Sequence, residues 1–257
     1  MGVPMGVNVD LAGRRVLVTG ASSGIGAAVC RAIVGCGGSV VMLARRKERL
    51  SELAVELGPR AVGVRADVTD DEALAAAIDE GARALDGLDG IVAAAGRSMV
   101  GTLTTGTPAR WRELTDLNLI APLATVRYAI DHFPTTGRRD VVLVGSTGAI
   151  TPMPGVGVYA ATKRGLRAAF DSLRVELAHA GINAGLVMPG MFETEGLTLD
   201  GIVFDGDVPA NDTPMFVPDT GPGSADVLGD AIAFMIGLPE GVCINEIVAR
   251  PTGQLNP

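Results

Sequence analysis

Tyr159 and Lys163 stand four residues apart, and Ser146 precedes the tyrosine by thirteen. On a helix, a four-residue spacing puts both side chains on one face, one above the other. An ammonium beside a phenol favours the phenolate. The tyrosine pKa is therefore expected to fall from its resting value of about 10 towards the range where it trades protons near neutrality. Ser146 ends an apolar run that reads as a strand, from which its hydroxyl can hold a carbonyl oxygen against that phenol. The chemistry these types suggest is proton exchange at a carbonyl or an alcohol. A plainer account is a core tyrosine with a solvated lysine nearby. Rarity weighs against it, since the chain has two tyrosines (Tyr128, Tyr159) and two lysines (Lys47, Lys163).

The elements that must position these groups follow from the periodicity. Residues 14–18 read as a short buried strand that runs into Thr19-Gly20-Ala21-Ser22-Ser23-Gly24-Ile25-Gly26 and then a helix over 27–34. A glycine-rich turn between a strand and a helix brings backbone N–H groups to a phosphate at the positive end of the helix dipole. Its place after the first strand makes it a dinucleotide signal. A second strand, 39–44, ends in Arg45-Arg46-Lys47. Where such folds read the adenosine ribose, an acid bonds the 2′-hydroxyl of NAD and an arginine accommodates the 2′-phosphate of NADP. No acid stands at this tip, so NADP(H) is favoured, with Arg45 as the leading phosphate reader and Arg46 beside it; NAD(H) remains possible. Further strands are expected at 61–66 (closed by Asp67-Val68), 90–95 (closed by Gly96), 140–145, 182–188 and 243–248. Helices are expected at 48–57, 71–85, 108–133, 158–180 and 224–236. Thr107 and Pro108 supply an N-cap and first-turn proline for the long helix containing Asn118. Alternation of strand and helix implies a single doubly wound Rossmann-type α/β domain over 1–257, its parallel sheet of about seven strands covered by helices on both faces.

Composition limits the function. The 257 residues are 47% hydrophobic, ample for a large core, and carry a net charge of −8, which argues against a nucleic-acid partner. No apolar run approaches the ~18 residues of a membrane span, and the first dozen residues lack the pattern of a signal peptide. Cys30, Cys36 and Cys243 have neither metal nor redox spacing and read as reduced thiols of a cytoplasmic protein. No metal site is expected.

In this order and at these spacings the motifs resemble the short-chain dehydrogenase/reductase family over about residues 13–254. The matching residues are the turn Gly20, Gly24, Gly26, the pair Asp67-Val68, the four positions Asn118, Ser146, Tyr159 and Lys163, and Pro189-Gly190 followed by Thr194. The resemblance implies hydride transfer between a nicotinamide and a carbonyl carbon. Tyr159 is then the general acid in reduction and the base in oxidation; Lys163 depresses its pKa and bonds the nicotinamide ribose. Ser146 orients and polarises the substrate oxygen, and Asn118 holds a water linking Lys163 to solvent. The cofactor contacts implied are Gly20, Ser22, Ser23, Gly24, Ile25, Gly26, Arg45, Arg46, Asp67, Val68, Ala94, Gly96, Tyr159, Lys163, Pro189, Gly190 and Thr194. Two departures stand out. The fourth strand ends Ala93-Ala94-Ala95-Gly96 where the family usually has Asn-Asn-Ala-Gly, and Gly145 replaces a serine often found before the catalytic one. The hydrogen bonds of the missing amides must be made differently. The family pairs through its long helices, so a homodimer or homotetramer is expected.

Residues 191–223 are proline-rich, without clear periodicity, and lie past a strand's carboxyl end; they read as a substrate lid. From Val175 to Ala249 there is no lysine or arginine. Seven acids fall in the lid: Glu193, Glu195, Asp200, Asp205, Asp207, Asp212 and Asp219. They read either as a solvated acidic surface or as a screen against anionic thioesters. Ser98, Met99, Met153, Met191 and Phe192, with Val156 and Phe204, are expected to wall a pocket for a small or medium, neutral, apolar ketone or alcohol. The alternative to an enzyme is a catalytically idle dinucleotide-binding sensor or scaffold.

Overall fold

The computed structural model describes residues 9–151, 153–195, 202–208 and 215–255. Five apolar strands of four to six residues and one of seven form most of a parallel sheet: β1 (Arg15–Thr19), β2 (Ser39–Ala44), β3 (Ala61–Arg65), β4 (Gly90–Ala93), β6 (Asp140–Val144) and β7 (Asn183–Pro189). The seventh strand, β9, covers Glu246–Ala249. A separate two-stranded parallel ribbon pairs β5 (Met99–Val100) with β8 (Val203–Phe204). The main sheet runs β3-β2-β1-β4-β6-β7-β9, and every pairing is parallel. The order therefore reverses between β1 and β4, opening a crevice at the carboxyl ends of those strands.

Side chains alternate across the sheet and bury against helices on both faces. Leu17, Val41, Ile91 and Leu143 pack with α3 (Asp71–Ala84), α5 (Ala121–Ala129) and α6 (Gly157–His179). Val16, Val18, Val40 and Val92 pack with α1 (Gly24–Gly35), α2 (Lys47–Leu57) and α7 (Asp226–Ile236). At the strands' amino ends, Asp140 accepts from Arg14 at 2.9 Å, from Arg138 at 2.6 and 2.9 Å and from Asn183 at 3.2 Å, an ion cluster on the side of the sheet away from the crevice.

The helix expected to run unbroken over 108–133 is interrupted. α4 (Pro108–Thr115) passes into a π-helical turn, Asp116–Ile120, before α5 resumes. The last strand begins at Glu246, so Cys243 lies outside it; its thiol donates to the Ala184 carbonyl at 3.2 Å. The β5–β8 ribbon has no counterpart in the periodicity, since two-residue strands leave none. Asp205, just past β8, is buried and accepts from the Thr107 backbone N–H at 2.8 Å and the Trp111 indole at 3.0 Å. Parts of the expected lid, 196–201 and 209–214 with Asp200 and Asp212, lie outside the described residues. Among the described residues no helix is long and apolar enough to cross a membrane.

Candidate active site

Ser146 leaves β6 in extended conformation, and its Oγ accepts from the Gly148 N–H at 3.1 Å, which fixes the hydroxyl at the strand tip. α6 begins eleven residues later and carries Tyr159 and Lys163 on its first two turns. The Ser146 and Ser98 hydroxyls both hydrogen-bond the Tyr159 phenol. Burial is the largest influence on that phenol and pushes its pKa up; the two serines pull it back in part. The expectation of a phenol lowered by the lysine is corrected here. Lys163 is not among the groups that set that balance. Nζ donates to the Val144 carbonyl at 3.0 Å, and the side chain is only 5% exposed. Burial lowers the lysine from 10.5 to about 8.

The π-turn explains how Asn118, a mediocre helix former, faces the sheet. An extra residue in the turn rotates the side chain inward, and such turns recur at functional sites. Asn118 is fully buried. Its Oδ1 accepts from the Arg97 N–H at 2.9 Å, and its Nδ2 donates to the Arg97 carbonyl at 2.9 Å and to Thr162 Oγ1 at 3.4 Å. The amide thus clamps the loop after β4 through one residue's main chain. A Cβ on Gly96 would stand 3.1 Å from Asn118 Oδ1 and 3.4 Å from Lys163 Nζ, so a side chain here would press on the Asn118 amide.

A cavity of about 490 Å³ follows the crevice from the glycine turn to Tyr159 and Lys163, a size suited to a cofactor-scale ligand. Of the dinucleotide contacts expected from the sequence, all but Pro189 and Gly190 line it. The turn is built for close backbone approach. A Cβ at Gly26 would collide with the Gly20 carbonyl, and Gly20 itself has φ of +69° and would meet the Ala95 backbone at 2.8 Å. The tip lacking the usual asparagines is held instead by Thr19, whose Oγ1 accepts from the Ala95 N–H at 3.2 Å.

At the far end of the cavity the two arginines diverge. Arg45 reaches Asp67, Nη1 to Oδ2 at 3.7 Å. Arg46, in extended conformation before α2, folds back over the glycine turn; Nε and Nη2 donate to Ser22 Oγ at 3.1 and 3.0 Å, and Nη2 to Ser23 Oγ at 2.6 Å. Both arginines line the cavity, Arg45 against Asp67 and Arg46 against the two serines of the glycine turn. Alternation along extended backbone sends neighbouring side chains opposite ways, and spacing alone could not choose between them. Asp67 also accepts from the Thr69 N–H and hydroxyl at 3.1 and 2.8 Å.

Pro189 ends β7, and the Gly190 N–H donates to the Ala249 carbonyl at 2.7 Å. Gln254, which the sequence reading did not single out, accepts from the Met191 N–H at 2.8 Å and fixes the chain's direction towards Thr194, which does line the cavity. Of the expected pocket wall, Ser98 alone lines this cavity among the described residues. Met99 and Phe192 are each 5% exposed; Phe192 packs in the core against α7's face, and Met99 turns towards a small void beside Trp111. Met153, Met191 and Val156 are half-buried away from the cavity, and Phe204 is exposed. Ser98 remains on the cavity wall, joined by Leu117, Val203 and Arg97. Residues following a strand end alternate between core and crevice, and that alternation is not legible without the ribbon that anchors them. On the long helices expected to pair, Phe170 is core, and Tyr128 and Leu173 pack against that core from its edge.

A parallel sheet with a dinucleotide crevice and a Tyr–Lys–Ser cluster at its mouth defines a nicotinamide-dependent oxidoreductase. The short chain dehydrogenase family model matches residues 14–199, and the chain belongs to that family. It is 35% identical over 244 residues, 93% of this chain and 94% of the relative, to sulfoacetaldehyde reductase 2 of Chromohalobacter salexigens. Its fold matches a dehydrogenase/reductase of Sinorhizobium meliloti with a TM-score of 0.81 at 29% identity, covering 95% of this chain and 96% of the other. A short chain dehydrogenase of Burkholderia cenocepacia, solved in complex with NADP, gives 0.79 at 29% identity over 93% and 97%.

Proposed function

We propose that this enzyme is an NADP(H)-dependent reductase and dehydrogenase of small carbonyls and secondary alcohols. The observation that carries the reading is one cavity lined both by Arg46 with Ser22 and Ser23 and by Tyr159 with Lys163, the Tyr159 phenol being held by Ser146. The fit to a dinucleotide rests on the glycine turn, where a Cβ at Gly26 would collide with the backbone and the N-terminus of α1 faces the cavity. Ser22, Ser23 and Arg46 would hold the 2′-phosphate, and Lys163 the nicotinamide ribose. The bound dinucleotide supplies or accepts the hydride.

In reduction, Ser146 orients the substrate oxygen and Tyr159 donates its proton to that oxygen. Burial keeps the phenol protonated at neutral pH, the state that reduction requires. Asn118 holds the Arg97 backbone, and so the floor of the site, at a fixed distance from Lys163. Among the described residues of the lid, Glu195 is paired with Arg46 and Asp205 is turned inward, while Arg97 lines the cavity; these support a weaker screen against anions than the composition suggests. The substrate is proposed as small to medium and neutral; the relative's name points instead to an aldehyde bearing a sulfonate, which Arg97 on the cavity wall would suit, so small aldehydes with and without an anionic group belong in the test. Residues 191–223 act as its lid in a single domain, and the enzyme works in the cytoplasm as a homodimer or homotetramer through α4–α5 and α6. The test is a panel of small ketones, aldehydes with and without an anionic group, their alcohols and one acyl thioester, followed by nicotinamide absorbance with NADPH and NADH. Turnover of neutral carbonyls with NADPH ahead of NADH is expected. An inert panel favours a dinucleotide-binding sensor, and thioester turnover equal to that of ketones removes the neutral-substrate reading.

A further inference from the structure

The arginine that faces the proposed 2′-phosphate site already holds an acid. Arg46 Nη1 donates to Glu195 Oε2 at 2.6 Å, and this is the guanidinium nitrogen not committed to Ser22 or Ser23. Glu195 also shares the Ser23 hydroxyl. Its position is fixed by its neighbour, because Thr194 lies against the glycine turn, with its Cβ 3.1 Å from where a Cβ on Gly24 would stand. One carboxylate from the far side of the sheet thus sits on the arginine and the serine that a ribose phosphate would use. Burial alone would raise the Glu195 pKa, but Arg46, Ser23 and Arg49 bring it below the ordinary range, so the carboxylate is charged at neutral pH.

We propose that Glu195 is a specificity-setting residue that competes with the 2′-phosphate for Arg46 and so narrows the preference for NADP over NAD. This rests on Arg46 being the phosphate reader. A phosphate can take Arg46 only by breaking the ion pair, and it then lies beside a like charge. A dinucleotide with a bare 2′-hydroxyl does neither. Both side chains are about half exposed, 44% and 47%, so the pair is a screened surface contact. Its loss, with the relief of repulsion, is worth on the order of fivefold in affinity.

Calorimetric titration with 2′,5′-ADP and with 5′-AMP isolates the effect from turnover. Glu195→Gln should tighten 2′,5′-ADP about fivefold and leave 5′-AMP unchanged. Unchanged or weaker binding of 2′,5′-ADP, or an equal gain for 5′-AMP, overturns the proposal. Arg46→Ala separates the two claims. If it weakens 2′,5′-ADP while Glu195→Gln changes nothing, only the competitor role fails; if Arg46→Ala leaves 2′,5′-ADP binding intact, the phosphate reader and its competitor fall together.

Discussion

Replacing Lys163 by Met should stabilise the fold at neutral pH while abolishing turnover. The lysine is 5% exposed, and its pKa falls from 10.5 to about 8 on burial. A base whose folded pKa lies below its unfolded value binds fewer protons in the folded state, so stability rises with pH between the two values. Below about 8 the folded enzyme carries the whole cost of the buried charge. At about 1.36 kcal/mol per pH unit this is about 3 kcal/mol at pH 7 and under about 1 kcal/mol near pH 10. Methionine keeps much of the aliphatic stem and removes the charge. It also strips the Val144 carbonyl of its donor at 3.0 Å, which costs about 1 kcal/mol or more. The variant should therefore be more stable than the parent by about 1–2 kcal/mol at pH 7, with the advantage falling by about 2–3 kcal/mol towards pH 10. Urea unfolding of both proteins at the two pH values measures this, and groups common to both cancel in the difference. A stability difference independent of pH, or a variant less stable at pH 7 than at pH 10 relative to the parent, refutes the reasoning. The same charge that the reaction uses is then a standing cost to the fold.

Arg46→Ala should weaken NADPH binding by about 10-fold or more, the worth of charge-assisted hydrogen bonds to a phosphate, and leave NADH binding within about twofold; fluorescence titration reads both. Arg45→Ala, which removes only a 3.7 Å contact with Asp67, should change either affinity less than Arg46→Ala does. Asp140→Ala leaves the buried Arg138 guanidinium without its carboxylate, while Arg14 keeps Asp89 at 2.6 Å. A loss of about 3–5 kcal/mol in urea unfolding follows from an unpaired buried charge, with cofactor affinity unchanged because the cluster lies at the opposite end of the strands.

Much of the site was legible because it depends on types at fixed separations. Gly20, Gly24 and Gly26 after an apolar strand, and Tyr159 four before Lys163, identify their elements without knowledge of packing. What was not legible depends on where chains return. The break at Asp116–Ile120 turns Asn118 inward; Pro122, with no N–H for a carbonyl one turn back, marks a weak point in the helix but not the direction Asn118 takes. Arg45 and Arg46 are equivalent by composition, and a one-residue difference in direction separates them. Met99 and Phe192 look like pocket residues because they follow strand ends, yet the β5–β8 ribbon and the core around α7 claim them. Glu195 read as one acid among seven in the lid, since only the fold brings it across 149 positions to Arg46. The Tyr159–Lys163 pair was placed correctly on one helix, but burial outweighs the hydrogen bonds from Ser146 and Ser98 and reverses the expected direction of the phenol's pKa.

The central claim is that Tyr159 is the proton donor of a nicotinamide-dependent carbonyl reduction. Tyr159→Phe removes a single oxygen that Ser146 and Ser98 hold in place, and it leaves the glycine turn, Arg46 and Lys163 untouched. Parallel measurement of NADPH affinity and of turnover on the best carbonyl substrate tests the claim directly. The account predicts NADPH affinity within about twofold of the parent and a fall in turnover of at least about 10²-fold, the lower range for a lost general acid. Turnover retained at the parent level with cofactor still bound would contradict it.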